Sequence, residues 1–113
     1  MKEEKDIFCK MIDGDIPVNK IMETDDWFAI HDIHPIEPVH ALVISKKHLS
    51  GLEAIDSSNT QYAGVLLKGA HEVAQKLGIA ENGYRVRINK GKHGGQTIPH
   101  LHFHILGGRQ MSE

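Results

Sequence analysis

Between His100 and Gly108 the chain reads His-Leu-His-Phe-His-Ile-Leu-Gly-Gly, three histidines at every second position with apolar residues between them. Side chains alternate faces along a strand. This segment is therefore predicted to place Leu101, Phe103 and Ile105 on one face and His100, His102 and His104 on the other. Successive imidazoles then stand ~7 Å apart, two residue rises each. The apolar face demands a hydrophobic layer behind it. The histidine face has no packing purpose and predicts something polar held in front of it.

Immediately upstream, Asn89-Lys90-Gly91-Lys92-His93-Gly94-Gly95-Gln96-Thr97 reads as a loop whose glycines let backbone N–H groups turn toward an anion. A metal centre would call for cysteine or carboxylate close by, and this stretch and the histidine segment contain neither. A nucleophilic histidine beside an oxyanion-binding loop is therefore the expected chemistry, with no metal in the reacting centre.

A chain of 113 residues is expected to form one domain, residues 1–113. Its net charge of −2 and pI near 6.5 argue against a nucleic-acid-binding surface, so any phosphate contact must be local. The single cysteine, Cys9, cannot form an intrachain disulfide, which suits a reducing compartment. The start, Met1 to Asp6, is charged and does not read as a signal peptide. The longest aliphatic run is Ala41 to Ile44, too short to span a membrane. A cytoplasmic protein is expected.

Ile7, Phe8, Met11 and Ile12 form a helical stripe of about one and a half turns, stopped by Gly14 and Pro17. Lys20 to Thr24 and Trp27 to His31 are expected to pair as a hairpin around Asp25-Asp26. Asp32 to Pro38 is held extended by its prolines. The unbroken Ala-Leu-Val-Ile run in Val39 to Ser45 predicts a strand covered on both faces and central in the sheet. A long helix is expected after the capping candidates Ser57, Ser58 and Asn59, with Tyr62, Leu66, Gly69, Val73 and Leu77 on its buried face and Gly78 as its stop. Tyr84 to Asn89 alternates Tyr84, Val86 and Ile88 against Arg85, Arg87 and Asn89, a further strand. The fold class is α+β: a five-stranded antiparallel sheet with one short N-terminal helix and one long helix. Ala63, Leu67, Ala70 and Ala74 make a second stripe on the long helix, and they predict a two-fold homodimer through that face.

The His-x-His-x-His segment, together with Asp6-Ile7-Phe8-Cys9-Lys10-Met11-Ile12, Ile16-Pro17, His31-Asp32-Ile33, Pro38-Val39-His40, Val43-Ile44, Lys46-Lys47-His48, Gly94-Gly95-Gln96-Thr97 and Gly107-Gly108-Arg109-Gln110, resembles the histidine triad (HIT) superfamily. Its companions look like the Hint branch, the histidine triad nucleotide-binding proteins. The resemblance covers essentially the whole chain, in order. It implies a HIT-like fold, a homodimer, and a purine nucleoside phosphoramidase acting on AMP or GMP phosphoramidates. His102 would be the nucleophile that carries the nucleotide, His104 would contact phosphate oxygens and assist proton transfer, and His40 and His100 would support them. Asp32 would accept from the ribose hydroxyls, while Ile33, Ile7 and Phe8 would line the base pocket. Asn89, Gly95, Gln96 and Thr97 would hold the phosphate and the leaving-group side, and Phe103 belongs to the same substrate-binding segment.

Neutral imidazole is a competent nucleophile near pH 7, and fixed donors would be needed for the charge that develops on the phosphoryl oxygens. Relatives with Cys-x-x-Cys near the start bind zinc with two histidines. Here Asp6 stands at the first position, so Asp6, Cys9, His48 and His100 are the candidate residues for a structural zinc, and no other cofactor is expected. The alternative functions are a dinucleoside polyphosphate hydrolase on the same nucleophile and a nucleotide-binding regulator or scaffold.

Overall fold

The computed structural model describes residues 5–113; residues 1–4, within the charged start, lie outside the described residues. Helix α1 (Ile7–Ile12) is capped by Asp6, whose Oδ1 accepts the Cys9 N–H at 2.8 Å. Strands β1 (Met22–Glu23) and β2 (Trp27–His31) form the expected hairpin. Its turn is closed by the Thr24 hydroxyl, which accepts the N–H groups of Asp26 and Trp27. Strand β3 (Val39–Ser45) lies in the middle of a five-stranded, wholly antiparallel sheet of order β1-β2-β3-β5-β4, with β4 at Tyr84–Arg87 and β5 at His102–Gly107. A single 3₁₀ turn, Leu52–Ala54, precedes helix α2 (Thr60–Lys76). Asn59 takes the N-cap position, but its side chain turns back to accept the Asp56 N–H instead of capping the helix. Gly78, at φ +77°, ends the helix where expected. Among the described residues no helix is long and apolar enough to cross a membrane.

One face of the sheet is closed by α2. Trp27, Ala29, Ala41, Val43, Phe103 and Ile105 pack there against Leu66, Ala70, Val73 and Ala74. A Cβ on Gly69 would lie 2.6 Å from the Trp27 ring, so glycine at this position lets the helix settle onto the indole. The expected second stripe is corrected here: Ala70 and Ala74 are buried by the chain's own sheet. Positions 66, 69, 70, 73, 74 and 77 are one stripe of the ordinary width for a surface helix, and dividing it into two made half of it seem unpartnered. Only Leu67, 54 % exposed, and neighbouring Val65 remain uncovered.

The other face carries Phe28, Ile30, Leu42 and Ile44 beneath Phe8 of α1. A helix of six residues is about 9 Å long and covers one end of a sheet face only. The uncovered part of this face is where the histidines stand.

Candidate active site

Strand β5 begins at His102, two residues later than predicted. His100 N–H turns to the Ile98 carbonyl at 2.8 Å, so His100 sits in a bend before the ladder starts. The alternation nevertheless holds. Leu101, Phe103 and Ile105 enter the α2 core, while Phe8 meets both His100 and His102 edge-on, with ring centroids 5.5 and 5.0 Å apart. Because the bend leaves the His100 carbonyl outside the ladder, His102 Nδ1 can donate to it at 2.6 Å. That bond puts the proton on Nδ1 and leaves Nε2 with a free lone pair. Burial pushes the His102 pKa below its ordinary value, which keeps the ring neutral near pH 7.

His104, one ring further along at a centroid distance of 5.1 Å, is tied to β3. Its Nδ1 lies 2.9 Å from Nε2 of His40. The Ile36 N–H donates to His40 Nδ1 at 3.2 Å, so the His40 proton is on Nε2 and is given to His104 Nδ1. His104 therefore carries its own proton on Nε2, toward the open side. Burial, with the neighbouring His102, Arg87 and His40, pushes the His104 pKa down to about 4. Burial also lowers that of His40, although the carboxylate of Asp32 opposes it. Asp32 Oδ2 is 3.4 Å from His40 Nε2, and its Oδ1 accepts the His34 N–H at 2.7 Å in an Asx turn.

The remaining expected site residues are placed unevenly. Ile33, 83 % exposed, and Ile7, 45 % exposed, are apolar side chains left open to solvent, whereas Phe8 is buried against the histidines. In the glycine loop the N–H groups of Gly94, Gly95 and Gln96 donate to carbonyls of Gly91 and Lys92 within the loop itself. They are therefore not free for an anion, which corrects the expected cradle. The Gln96 side chain is likewise engaged: its Oε1 accepts the Gly91 N–H at 3.0 Å and its Nε2 donates to the Ser50 carbonyl at 2.8 Å. It holds the loop in place. Asn89 is half-buried and Thr97 exposed, and neither makes a hydrogen bond to another described residue.

Two clusters of metal-capable donors lie along this face, Asp32-His40-His104 and Asp6-Cys9-His48-His100. Excluding a metal because no carboxylate neighbours the histidines in sequence thus does not hold in space, since the end of β2 brings Asp32, and the cap of α1 brings Asp6, to them. In the second cluster His100 Nε2 donates to the Ser45 carbonyl at 2.6 Å, which leaves Nδ1 facing Asp6 Oδ2 at 3.0 Å and Cys9 Sγ at 3.7 Å. His48 Nε2 is 3.1 Å from the same carboxylate oxygen. Burial raises the Asp6 pKa, but the Cys9 N–H and His100 outweigh it and hold the carboxyl below the usual carboxylate range. Tetrahedral zinc with bonds of 2.0–2.3 Å separates its ligand atoms by about 3.3–3.8 Å. An O, S, N, N donor set whose atoms all lie within 4.8 Å of one another fits that ion.

Sequence reasoning missed the Glu37–Arg109 pair, at 2.7 Å, which ties the loop carrying Asp32 and Ile33 to the segment after β5. The partners are 72 residues apart, and no local pattern announces them.

The HIT domain family model matches residues 13–111, a span that includes all three histidines of the ladder together with His40. The chain belongs to the HIT domain family. A HIT family hydrolase from Clostridium thermocellum is 43 % identical, with a TM-score of 0.93 over 99 % of this chain and 97 % of that one. An uncharacterized HIT-like protein of Helicobacter pylori is 41 % identical over 102 residues, 90 % of this chain and 95 % of its own. A histidine triad nucleotide-binding protein from Candida albicans is 32 % identical, with a TM-score of 0.80, covering 96 % and 85 %. The α+β sheet with one short and one long helix is thus the architecture of the HIT fold.

Proposed function

We propose that this HIT protein is a purine nucleoside phosphoramidase of the Hint type that works through a nucleotidyl-His102 intermediate. The observation that carries the reading is the pair of oriented imidazoles: a buried neutral His102 with its lone pair on Nε2, beside a His104 with its proton on Nε2. Nε2 of His102 attacks phosphorus and the P–N bond breaks. The departing nitrogen takes the proton of His104 Nε2, and the charge this leaves on His104 is balanced by the cationic ring of nucleotidyl-His102, while the hydrogen bond from His40 holds His104 in place. Water then attacks phosphorus opposite the His102–P bond and gives a proton to His104 Nε2, the His102–P bond breaks with its electron pair returning to His102 Nε2, and the nucleoside monophosphate leaves.

The nucleoside would lie on the Asp32 side, with its ribose hydroxyls donating to the Asp32 carboxylate and its base against Ile33, Ile7 and Phe8. The exposed Ile33 and Ile7 support that reading, since apolar side chains beside a polar site gain from covering a purine. Thr97 and Asn89, with polar groups not engaged elsewhere, would serve the phosphate in place of the occupied loop amides, and Gly95 and Gln96 would shape the loop around it. No step needs a cofactor. A zinc ion held by Asp6, Cys9, His48 and His100 would be structural, with all four positions filled by protein and none left for water. About one zinc per chain in protein prepared without chelator would establish it, and a metal-free preparation would remove it.

The exposed Leu67 and Val65 on α2 support a homodimer, to be tested by light scattering for a mass twice that of the chain. The function itself is tested by steady-state hydrolysis of adenosine 5'-phosphoramidate against diadenosine triphosphate. Preferential P–N cleavage is expected. Preference for the triphosphate would move the protein to the polyphosphate hydrolases, and tight AMP binding without turnover of either would make it a binding protein.

A further inference from the structure

The loop between β2 and β3, residues 32–38, carries Asp32 and Ile33 and supplies the Ile36 N–H that donates to His40 Nδ1 at 3.2 Å. Among the described residues few other bonds hold it. At its base the Asp32 N–H donates to the His40 carbonyl at 2.9 Å, and the Asx turn of Asp32 and His34 closes within the loop itself. The remaining tie is Glu37, whose carboxylate accepts from Arg109 Nε at 2.7 Å.

The Glu37 side chain is only 9 % exposed and accepts no other hydrogen bond from a described residue, so its charge depends on that guanidinium. The guanidinium is fixed in its turn, donating from Nη1 to the Gln110 carbonyl at 2.8 Å. It reaches Glu37 because the chain leaving β5 passes close against Pro38. A Cβ on Gly108, at φ +95°, would lie 2.9 Å from the Pro38 Cβ and 3.3 Å from the Val39 nitrogen.

Pro35 and Pro38 bracket Ile36 and Glu37. Each proline locks its own φ and holds the residue before it extended, so the Pro-Ile-Glu-Pro unit has little freedom to absorb a displacement. Where Glu37 moves, the neighbouring Ile36 N–H moves with it. That N–H keeps the His40 proton on Nε2, from which it is donated to His104 Nδ1.

We propose that Arg109 is a positioning residue for the reaction: by holding Glu37 it seats the 32–38 loop, and through Ile36 it fixes the His40 ring that aims His104. The inference deepens the phosphoramidase reading and rests on it for the roles of Asp32 and His104. It is tested with Arg109→Gln, Glu37→Gln and the double variant, in steady-state hydrolysis of adenosine 5'-phosphoramidate and by nitrogen NMR of the histidine rings in the ligand-free proteins.

An exposed charge pair is worth up to about fivefold, and displacing reacting groups by about 1 Å can cost roughly 100-fold. A pair that acts by seating other groups is expected between these limits, with kcat/KM about tenfold lower in either single variant. KM should rise because Asp32 and Ile33 shift, and kcat should fall because His104 does. The double variant should lose no more than either single one, since the first substitution already releases the loop. In the NMR spectra the wild type should hold the His40 proton on Nε2, and each variant should show that ring exchanging between its two tautomers.

An unchanged His40 tautomer in both single variants overturns the proposal. So does a loss confined to kcat, which would mark a smaller folded fraction, or losses that add in the double variant. If the wild type does not hydrolyse the phosphoramidate, that reading fails on its own. The His40 tautomer then decides the positioning: exchange in the variants upholds it, and an unchanged ring overturns it.

Discussion

Strand β5 presents two surfaces that differ in what they are built to tolerate. Toward α2, Leu101, Phe103 and Ile105 are at most 3 % exposed and pack in the core closed by a helix of 17 residues. Toward α1, His100, His102 and His104 alternate with them but meet a helix of only six residues. What lies beyond that helix is held by hydrogen bonds between imidazoles, carbonyls and carboxylates, not by apolar contact. The long helix makes one side of the strand a close-packed solid, and the shortness of the other leaves a polar face on a fixed floor. Rigidity on one side supplies precision on the other, because imidazoles can be aimed only from a backbone that does not move.

Exchanging side chains across this boundary separates activity from stability. The largest effect is expected from His102→Asn, which should lower phosphoramidate turnover at least about 10⁴-fold while the circular dichroism spectrum of the fold is retained. Residual turnover above a hundredth of wild type would remove His102 from the role of nucleophile. On the packed side, Phe103→Ala should destabilise the protein by about 3–5 kcal/mol in urea unfolding, a cavity between α2 and the sheet. A loss below 1 kcal/mol would mean that this face is not the solid described here. Gly69→Ala comes next, at about 1–3 kcal/mol, since the new Cβ would clash with the Trp27 ring; an unchanged urea midpoint would show that the indole can move aside.

The smallest expected effect is on pH dependence. A depressed His102 pKa means that the neutral nucleophile persists below the ordinary histidine value, so the acid limb of kcat/KM should have its midpoint below pH 6.5. A midpoint at or above 6.5 would contradict the buried, neutral ring. The same burial has a consequence for stability. With His104 near 4 in the fold and about 6.5 when unfolded, the unfolded chain binds the proton first as the pH drops. Stability is therefore full above about pH 6.5 and declines through the window down to about pH 4, as acid-unfolding curves would register. A flat urea midpoint across that window would show that His104 is solvated like a free histidine.

Much of this was legible in the chain. The bounds of β3 and the middle position of that strand followed from an unbroken apolar run, because only a strand covered on both faces tolerates one. The split of β5 into an apolar and a histidine face followed from alternation alone. Less legible was anything that depended on what another element had already covered. Ala70 and Ala74 seemed to need a partner molecule until the close seat of α2 at Gly69 brought the sheet to them. The glycine loop had the composition of an anion cradle, yet its amides close turns on Gly91 and Lys92, and composition does not say which acceptor a donor meets.

By itself, then, the sequence determined the periodicities, the sheet with its two helices, and the residues that form the ladder, because these follow from the geometry of one strand or one helix. Only the tertiary structure decided the protonation sites of His102 and His104 and the approach of Asp32 and Asp6 to the histidines. Each of these is set by a partner far away in the chain: His40 is 64 residues from His104, and Asp6 is 94 from His100. Hydrogen bonds act over about 3 Å, and only folding brings such groups that close.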